Sequence, residues 1–102
     1  MLFVFIYTTA SSKEEAQKIT RHLLKKKLIA CANIFPITSV YEWKGKIRDQ
    51  GEVAMILKTL KTKSAAVKKE IEQIHSYDVP CIAEIDVKVN DAYARWIHEL
   101  VR

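Results

Sequence analysis

Glycine, proline and cysteine are scarce in this chain of 102 residues, which contains two of each. The glycines, Gly45 and Gly51, do not cluster before a Lys-Ser or Lys-Thr pair, so a nucleotide-hydrolysing loop is excluded. Cys31 and Cys81 have no second thiol nearby in sequence, so neither a disulfide framework nor a Cys-x-x-Cys zinc or redox site is indicated. We expect both cysteines to be reduced and buried.

Long apolar runs are also missing, because none approaches the ~18 residues that a membrane helix requires. The apolar start at residues 2–6 lacks the basic leader and small-residue cleavage site of a secretory signal. These absences predict no membrane partner and a cytoplasmic location. With 49% hydrophobic residues, 28% charged residues and a net charge of +5, we expect one domain over residues 1–102, with a solvated lysine-rich surface.

What dominates the chain is a pair of strand-forming runs at residues 30–43 and 52–59, separated by turn residues at 44–46 and 49–51. The first strand would extend on the order of 45 Å, whereas a chain of this length has a radius of gyration near 13 Å. The hairpin tip must therefore overhang. We expect that its subunit cannot bury Tyr41, Trp43, Val53 and Met55, which predicts an obligate oligomer.

The remaining segments complete a split βαβ pattern. Residues 2–9 predict a central strand, and Ser11, Ser12 and Glu15 predict the start of a helix that runs to about Lys27. Ser64 is expected to cap a second helix. A strand from Cys81 with period-two alternation and a last helix after Asn90 follow. The fold class predicted is α+β, a ferredoxin-like sandwich with a long protruding β-hairpin and an extra C-terminal helix. The residues expected to face inward on the last strand are Ala83, Ile85, Val87 and Val89.

Several functional classes lack their signatures. An RNA-binding module of this topology would carry aromatic residues on the third strand, but residues 52–57 contain none, so a nucleic-acid partner is not expected. Neither a Gly-x-Ser-x-Gly elbow nor a His-Glu-x-x-His helix is present. No nucleophile-base pair or carboxylate pair can be assembled from the sequence, so we do not expect an enzyme.

Two sets of residues are candidates for a site. His75 stands at a helix end, where an imidazole either interacts with the helix dipole or ligates a metal. Since a metal site needs further ligands, we consider Cys31, Cys81, Asp78 or groups from another subunit. The second set is Tyr41, Trp43, Lys58 and Tyr77. Core or interface packing is the default for the aromatic residues, and Lys58 must either reach a carboxylate or point into a solvated cleft that takes an anion.

The chain resembles the CutA family of divalent-cation tolerance proteins. The matching segments are residues 28–33, 41–46, 52–53, 56–59 and 75–80, with Tyr93, Trp96 and Ile97. The resemblance implies a ferredoxin-like homotrimer whose long hairpins pair between subunits, with a trimer shape similar to that of PII signalling proteins. It also implies a role in tolerance of copper and other divalent metals.

The resemblance implies a role for individual positions as well. His75 matches the histidine associated with copper binding, and Tyr77 and Pro80 match its neighbours. Thr8 stands where copper-binding members have a cysteine, and Cys81 replaces an acidic residue, with the period-two pattern pointing it inward.

Two functions follow from this comparison. The first is a non-enzymatic cytoplasmic homotrimer, without a required cofactor, that binds copper or another divalent metal ion at inter-subunit clefts. The alternative is a PII-like signalling or scaffold trimer that binds a small anionic ligand or a partner protein. His75 is the candidate metal ligand, and the candidate cleft residues are Tyr41, Trp43, Lys58, Tyr77, Pro80, Cys31 and Cys81.

Overall fold

The computed structural model describes residues 2–102 and confirms the predicted α+β architecture. Four strands form one antiparallel sheet in the order β2-β3-β1-β4, which is the order of a ferredoxin-like split βαβ sandwich. A single 3-10 turn at Lys61–Lys63 precedes the second helix. The elements are β1 (Phe3–Ala10), α1 (Lys13–Lys25), β2 (Cys31–Trp43), β3 (Lys46–Leu60), α2 (Ser64–Ile74), β4 (Ile82–Val87) and α3 (Asp91–Leu100).

The hairpin of β2 and β3 is closed by the two-residue turn Lys44-Gly45, in which both residues have positive φ angles of 52° and 76°. Turns of this kind match the twist of the flanking strands. The prediction of a second turn at residues 49–51 is wrong, because pairing is continuous from Trp43 opposite Lys46 through Thr38 opposite Gly51. Strand β3 therefore begins six residues earlier than expected.

The outer part of this hairpin, residues 40–50, is exposed on both strands, and we call it the ribbon. It stretches the molecule to 47 × 24 × 20 Å with a radius of gyration of 14.4 Å, against about 13 Å expected for a compact chain of this length. The predicted overhang is thus confirmed. Pro36 lies in β2, the edge strand of the sheet, which is where a residue without a backbone N–H is tolerated.

The main core lies between one face of the sheet and helices α1 and α2. Met55 is fully buried in it and Val53 packs against it, so the expectation that the subunit cannot bury these two residues is wrong. Both lie on the inner half of β3, below the ribbon. The other buried members are Val4, Ile6, Ala10, Ala16, Ile19, Leu23, Ile29, Leu57, Val67 and Ile71.

The opposite face of the sheet is covered only at one end, where Ile97 and Val101 of the α3 segment pack on Phe3 and Leu60. Strand register places the remaining side chains of that face together, because directly paired residues point to the same side. We call this surface the open face; its apolar side chains are Phe5, Tyr7, Phe35, Ile56, Ala83 and Ile85. The same register also places Lys58, Cys31 and Asn33 on it.

Strand β4 departs from the predicted alternation. Val87 and Val89 pack, as expected, against the apolar cluster formed by the α3 segment. Ala83, in contrast, is exposed, and Ile85 is 52% exposed on the open face. The "outward" Glu84 instead faces α2, where it pairs with Lys68 at 2.9 Å and accepts a hydrogen bond from Ser64. The expectation that Ser64 caps the second helix is wrong, because Ser64 is the first residue of α2 and Lys63 is at the N-cap position. The two faces of the sheet are not equivalent, and the period-two alternation alone could not show which residues of β4 lie on which face.

The two threonines buried in the core differ in one respect. Thr59 donates a hydrogen bond from Oγ1 to the Leu28 carbonyl at 2.6 Å, whereas the buried Thr8 Oγ1 has no partner among residues 2–102. An unpaired buried hydroxyl costs free energy that a methyl group does not. We expect Thr8→Val to raise the free energy of unfolding by about 1 kcal/mol and Thr59→Val to lower it by about 1 kcal/mol. Urea unfolding of both variants measures this, and equal effects would contradict the assignment.

No helix among residues 2–102 has the length and apolar character needed to cross a membrane.

Candidate functional site

An open groove of about 670 Å³ lies between the ribbon and the loop that follows α2. Tyr41, Trp43 and Tyr77 line it, so the fold places these three candidate cleft residues at one groove. The aromatic side chains of β2 reach the groove because residues 41 and 43 share one face of the strand. The other lining residues are Arg48, Gln50, Glu52, Asp78 and Val79.

His75 fixes the start of the loop that forms the second wall of the groove. Its side chain is fully buried, Nε2 lies 2.6 Å from the Thr9 carbonyl oxygen, and Nδ1 accepts a hydrogen bond from the Tyr77 backbone N–H at 3.0 Å. Because Nδ1 accepts, the ring proton resides on Nε2 and is donated to Thr9. The imidazole is therefore neutral here, and both of its nitrogens are engaged within the subunit.

Glu15, in the first turn of α1, ties the same loop to the helix. Its carboxylate accepts hydrogen bonds from the Ser11 N–H at 2.9 Å, the Ser11 hydroxyl at 2.8 Å and the Ser76 N–H at 2.9 Å. Burial alone would raise the pKa of Glu15, but these hydrogen bonds outweigh it and lower the pKa to about 2. The predicted capping interaction is present, since Ser12 Oγ accepts from the Glu15 N–H at 3.1 Å.

The phenol groups in the groove are held by polar neighbours. Tyr77 donates its hydroxyl proton to Glu52 Oε1 at 2.7 Å, and Tyr41 donates to Gln50 Oε1. Burial, and then the hydrogen bond to Glu52, raise the pKa of Tyr77 above its ordinary value. Both rings are thus fixed against β3, and Tyr77 bridges the loop to this strand just below the ribbon.

Lys58 and Cys31 do not line the groove; they lie on the open face, beside α3. The Lys58 Nζ atom is 5.4 Å from the ring centroid of Phe5 and 5.5 Å from that of Tyr93. Within the subunit, Lys58 thus makes cation–π contacts with two rings. A carboxylate partner across an interface and an anion in a cleft stay predictions for it. Cys31 Sγ lies 3.3 Å from the Tyr93 hydroxyl, and burial, followed by this contact, raises the pKa of Tyr93 to about 12.

The prediction that both cysteines are buried is wrong in different degrees. Cys31 is half-buried and Cys81 is exposed just before β4, rather than pointing inward. Pro80, half-buried, precedes it at the end of the loop and does not line the groove. Cys81 precedes the first residue of β4 and shares its parity with Ala83 and Ile85, which are also exposed, so the inward face was assigned to the wrong side of this strand.

Arg48, Gln50 and Glu52 of the groove were not among the predicted site residues, because residues 49–51 were assigned to a turn. A signal for them was present in the sequence. A two-residue turn at Lys44-Gly45 pairs Tyr41 with Arg48 and places Gln50 and Glu52 on the same face. Counting outward from the turn would have found these three residues.

Comparison with known proteins assigns the family. A model of the CutA1 divalent ion tolerance protein matches residues 4–100. The chain belongs to the CutA1 family.

Two curated CutA relatives resemble the chain over almost their full length. The divalent-cation tolerance protein CutA of Archaeoglobus fulgidus is 49% identical over 98 residues, covering 95% of this chain and 96% of that protein. CutA of Pyrococcus horikoshii is 43% identical over 97 residues, covering 94% and 95%.

Solved CutA structures share the fold closely. The A. fulgidus protein, described as a periplasmic divalent cation tolerance protein, superposes with a TM-score of 0.94 at 48% identity, covering 98% of this chain and 99% of that one. CutA1 from Oryza sativa superposes with a TM-score of 0.95 at 31% identity, covering 100% and 95%. The recognition of the family from its sequence segments is confirmed.

The described part of one CutA1 subunit does not assemble a set of metal ligands by itself. Residues 2–102 contain no group of three or more His, Cys, Asp or Glu side chains placed to hold a metal ion. Glu15, which could serve as a ligand, places Oε2 3.9 Å from His75 Nδ1. Thr8, at the position of the family's cysteine, is buried in β1. The role of His75 as a metal ligand stays a prediction.

Proposed function

We propose that the protein is a non-enzymatic, cytoplasmic homotrimer of the divalent-cation tolerance type that binds copper or another divalent metal ion at an inter-subunit cleft. Membership of the CutA1 family carries this proposal. The A. fulgidus relative is described as periplasmic, so cell fractionation is needed to decide the compartment.

The open face supports the proposed assembly. Ile85 is 52% exposed, Phe35 is 38% exposed and Trp96 of α3 is 41% exposed, although all three are large apolar side chains. A sheet face that exposes several large apolar side chains is typical of an interaction site. A sheet face that its own helices leave uncovered is buried most simply by copies of the same surface.

The metal site would include Nδ1 of His75, because Nε2 carries the ring proton. The lone pair of Nδ1 can bind a metal ion once the Tyr77 N–H no longer donates to it. Glu15 Oε2 lies beside it at 3.9 Å. Imidazole nitrogen suits copper, and further ligands must come from Asp78, Cys81 or another subunit. Binding at this site therefore requires the loop from His75 to Cys81 to give up its hydrogen bond at Nδ1.

His75→Ala is expected to weaken copper(II) binding at least about tenfold, because it removes the only nitrogen ligand proposed for the site. Calorimetric titration of the assembled protein measures the affinity, and sedimentation confirms that the assembly persists. His98→Ala, which removes an exposed histidine on α3, is the matched control and should change the affinity little. Equal copper affinity in wild type and His75→Ala would reject this histidine as a ligand.

A further inference from the structure

The helices α1 and α2 carry cations on the side of the sheet opposite the open face. Lys18, Arg21 and Lys25 of α1 recur at intervals of three and four residues, so they lie on one face of the helix. That face points away from the sheet, because the buried residues of α1 lie on its other side, and all three side chains are exposed. Assembly through the open face would leave this surface accessible to solvent.

Lys69 of α2 lies beside this row. It is exposed and also points away from the buried residues of its own helix. The next residue, Glu70, contacts Nε2 of His22 at 3.0 Å and Nζ of Lys26 at 2.6 Å, and these two residues directly follow two cations of the row. Since packed helix axes are about 8–10 Å apart, Lys69 extends the row into a surface two helices wide. We call this surface the basic face; it comprises Lys18, Arg21, Lys25 and Lys69.

The charge of the basic face is not compensated within the subunit. Among residues 2–102, none of its four side chains forms an ion pair. Glu70 is already paired, and its hydrogen bonds to Lys26 and His22 hold its pKa below the ordinary value. Glu14 bounds the row at the start of α1, and Glu72 lies on the flank of α2 that is turned away from α1. The basic face therefore attracts anions.

The chemistry of these helices restricts which anion the basic face fits. Residues 13–27 and 61–74 contain no aromatic side chain, so no ring is available on which an unpaired base could stack. They also lack the aromatic residues that anchor a protein at a bilayer interface, and Leu24, at 38% exposure, is the one large apolar side chain that α1 and α2 expose. Repeated charge without stacking or insertion fits a stiff polyanion whose bases are paired.

We propose that the basic face binds the phosphate backbone of double-stranded DNA. The row on α1 spans about 10 Å, and a duplex carries one negative charge per about 1.7 Å of its axis, so several phosphates face the four cations at once. Because these contacts go to phosphates, they carry no information about base sequence. The expectation against a nucleic-acid partner concerned aromatic residues on β3, on the sheet, whereas this surface lies on the helices. The contact involves neither His75 nor the open face.

Fluorescence anisotropy of a labelled DNA duplex, titrated with the assembled protein between about 50 and 200 mM salt, measures the proposed binding. With four phosphate contacts, we expect the logarithm of the association constant to fall with the logarithm of the salt concentration with a slope of about −3 to −4. Two duplexes of unrelated sequence should bind with equal affinity, since no base edge is read.

The double variant Arg21→Gln/Lys25→Gln tests the basic face directly. Both side chains are exposed, so the fold should persist. We expect the salt slope to become shallower by about 2 and the affinity at low salt to fall at least about tenfold. Lys88→Gln/Arg95→Gln is the matched control, because it removes the same charge from exposed residues after β4 and on α3. This control should keep the slope of the wild type, and sedimentation velocity checks that both variants remain assembled.

Three results would overturn the proposal. Equal losses in the two double variants would mean that the net charge of the protein, rather than the basic face, attracts the duplex. Absence of binding at low salt, or binding that does not depend on salt, would exclude a phosphate contact. Tighter binding to phosphatidylglycerol vesicles than to the duplex, at equal phosphate concentration, would assign the surface to a membrane instead.

Discussion

Ile85→Asp is expected to convert the assembled protein into folded monomers. The side chain of Ile85 is 52% exposed on the open face, where it is paired with Phe5, so a carboxylate there meets water in the isolated subunit. In the proposed trimer the same carboxylate would be buried at the interface, which costs several kcal/mol per subunit. Sedimentation velocity at micromolar concentration measures the change in mass, and circular dichroism confirms that the subunit stays folded.

Leu24→Asp is the matched control for this variant. Leu24 is also a large exposed apolar residue, but it lies on α1, on the side of the sheet opposite the open face. Its replacement should leave the mass of the assembly unchanged. A trimer that survives Ile85→Asp, or a wild-type protein that sediments as a monomer, would exclude assembly through the open face.

Glu15→Gln is expected to lower the free energy of unfolding by about 2 kcal/mol at neutral pH, because the amide cannot accept charge-assisted hydrogen bonds from Ser11 and Ser76. The folded-state pKa of about 2 lies below the ordinary value of 4.5. The stabilisation is therefore complete above pH 4.5 and is lost as the pH falls toward 2. Urea unfolding of wild type and variant, at one protein concentration and several pH values, should show two curves that converge in acid.

Glu14→Gln provides the comparison for Glu15→Gln. Glu14 is an exposed glutamate in the same first turn of α1, so its replacement removes an equal charge from the same helix dipole. We expect a loss of no more than about 0.5 kcal/mol. A pH-independent difference between wild type and Glu15→Gln would show that the hydrogen-bonded carboxylate is not the origin of the effect.

The sequence was sufficient for the order of elements, the overhang of the ribbon and the family. Hydrophobic periodicity and glycine placement determine the first two features locally, whereas the family was recognised from its matching segments. It was not sufficient for the environment of Lys58 or Glu84, because which face of a strand meets the helices depends on pairing between distant segments. Two aromatic rings, Phe5 and Tyr93, come to Lys58 from opposite ends of the chain.

The residues of the candidate site were predicted only in part, again because contacts between distant segments could not be predicted. Tyr41, Trp43 and Tyr77 were identified as unusual aromatic residues, and the fold brings them to one groove. The partners of His75 could not be predicted, since the Thr9 carbonyl oxygen is separated from it by 66 residues and no residue type encodes that contact. Glu15 was predicted only as a helix cap, although its second oxygen holds Ser76.

The two-residue turn at Lys44-Gly45 limits how the protrusion can change in evolution. Each residue added to one strand reverses the side on which every more distal residue projects. Unless a bulge intervenes, Tyr41 and Trp43 keep their orientation toward the groove only if each strand gains or loses two residues at once. The reach of this arm is therefore adjustable in steps of about 7 Å, rather than continuously.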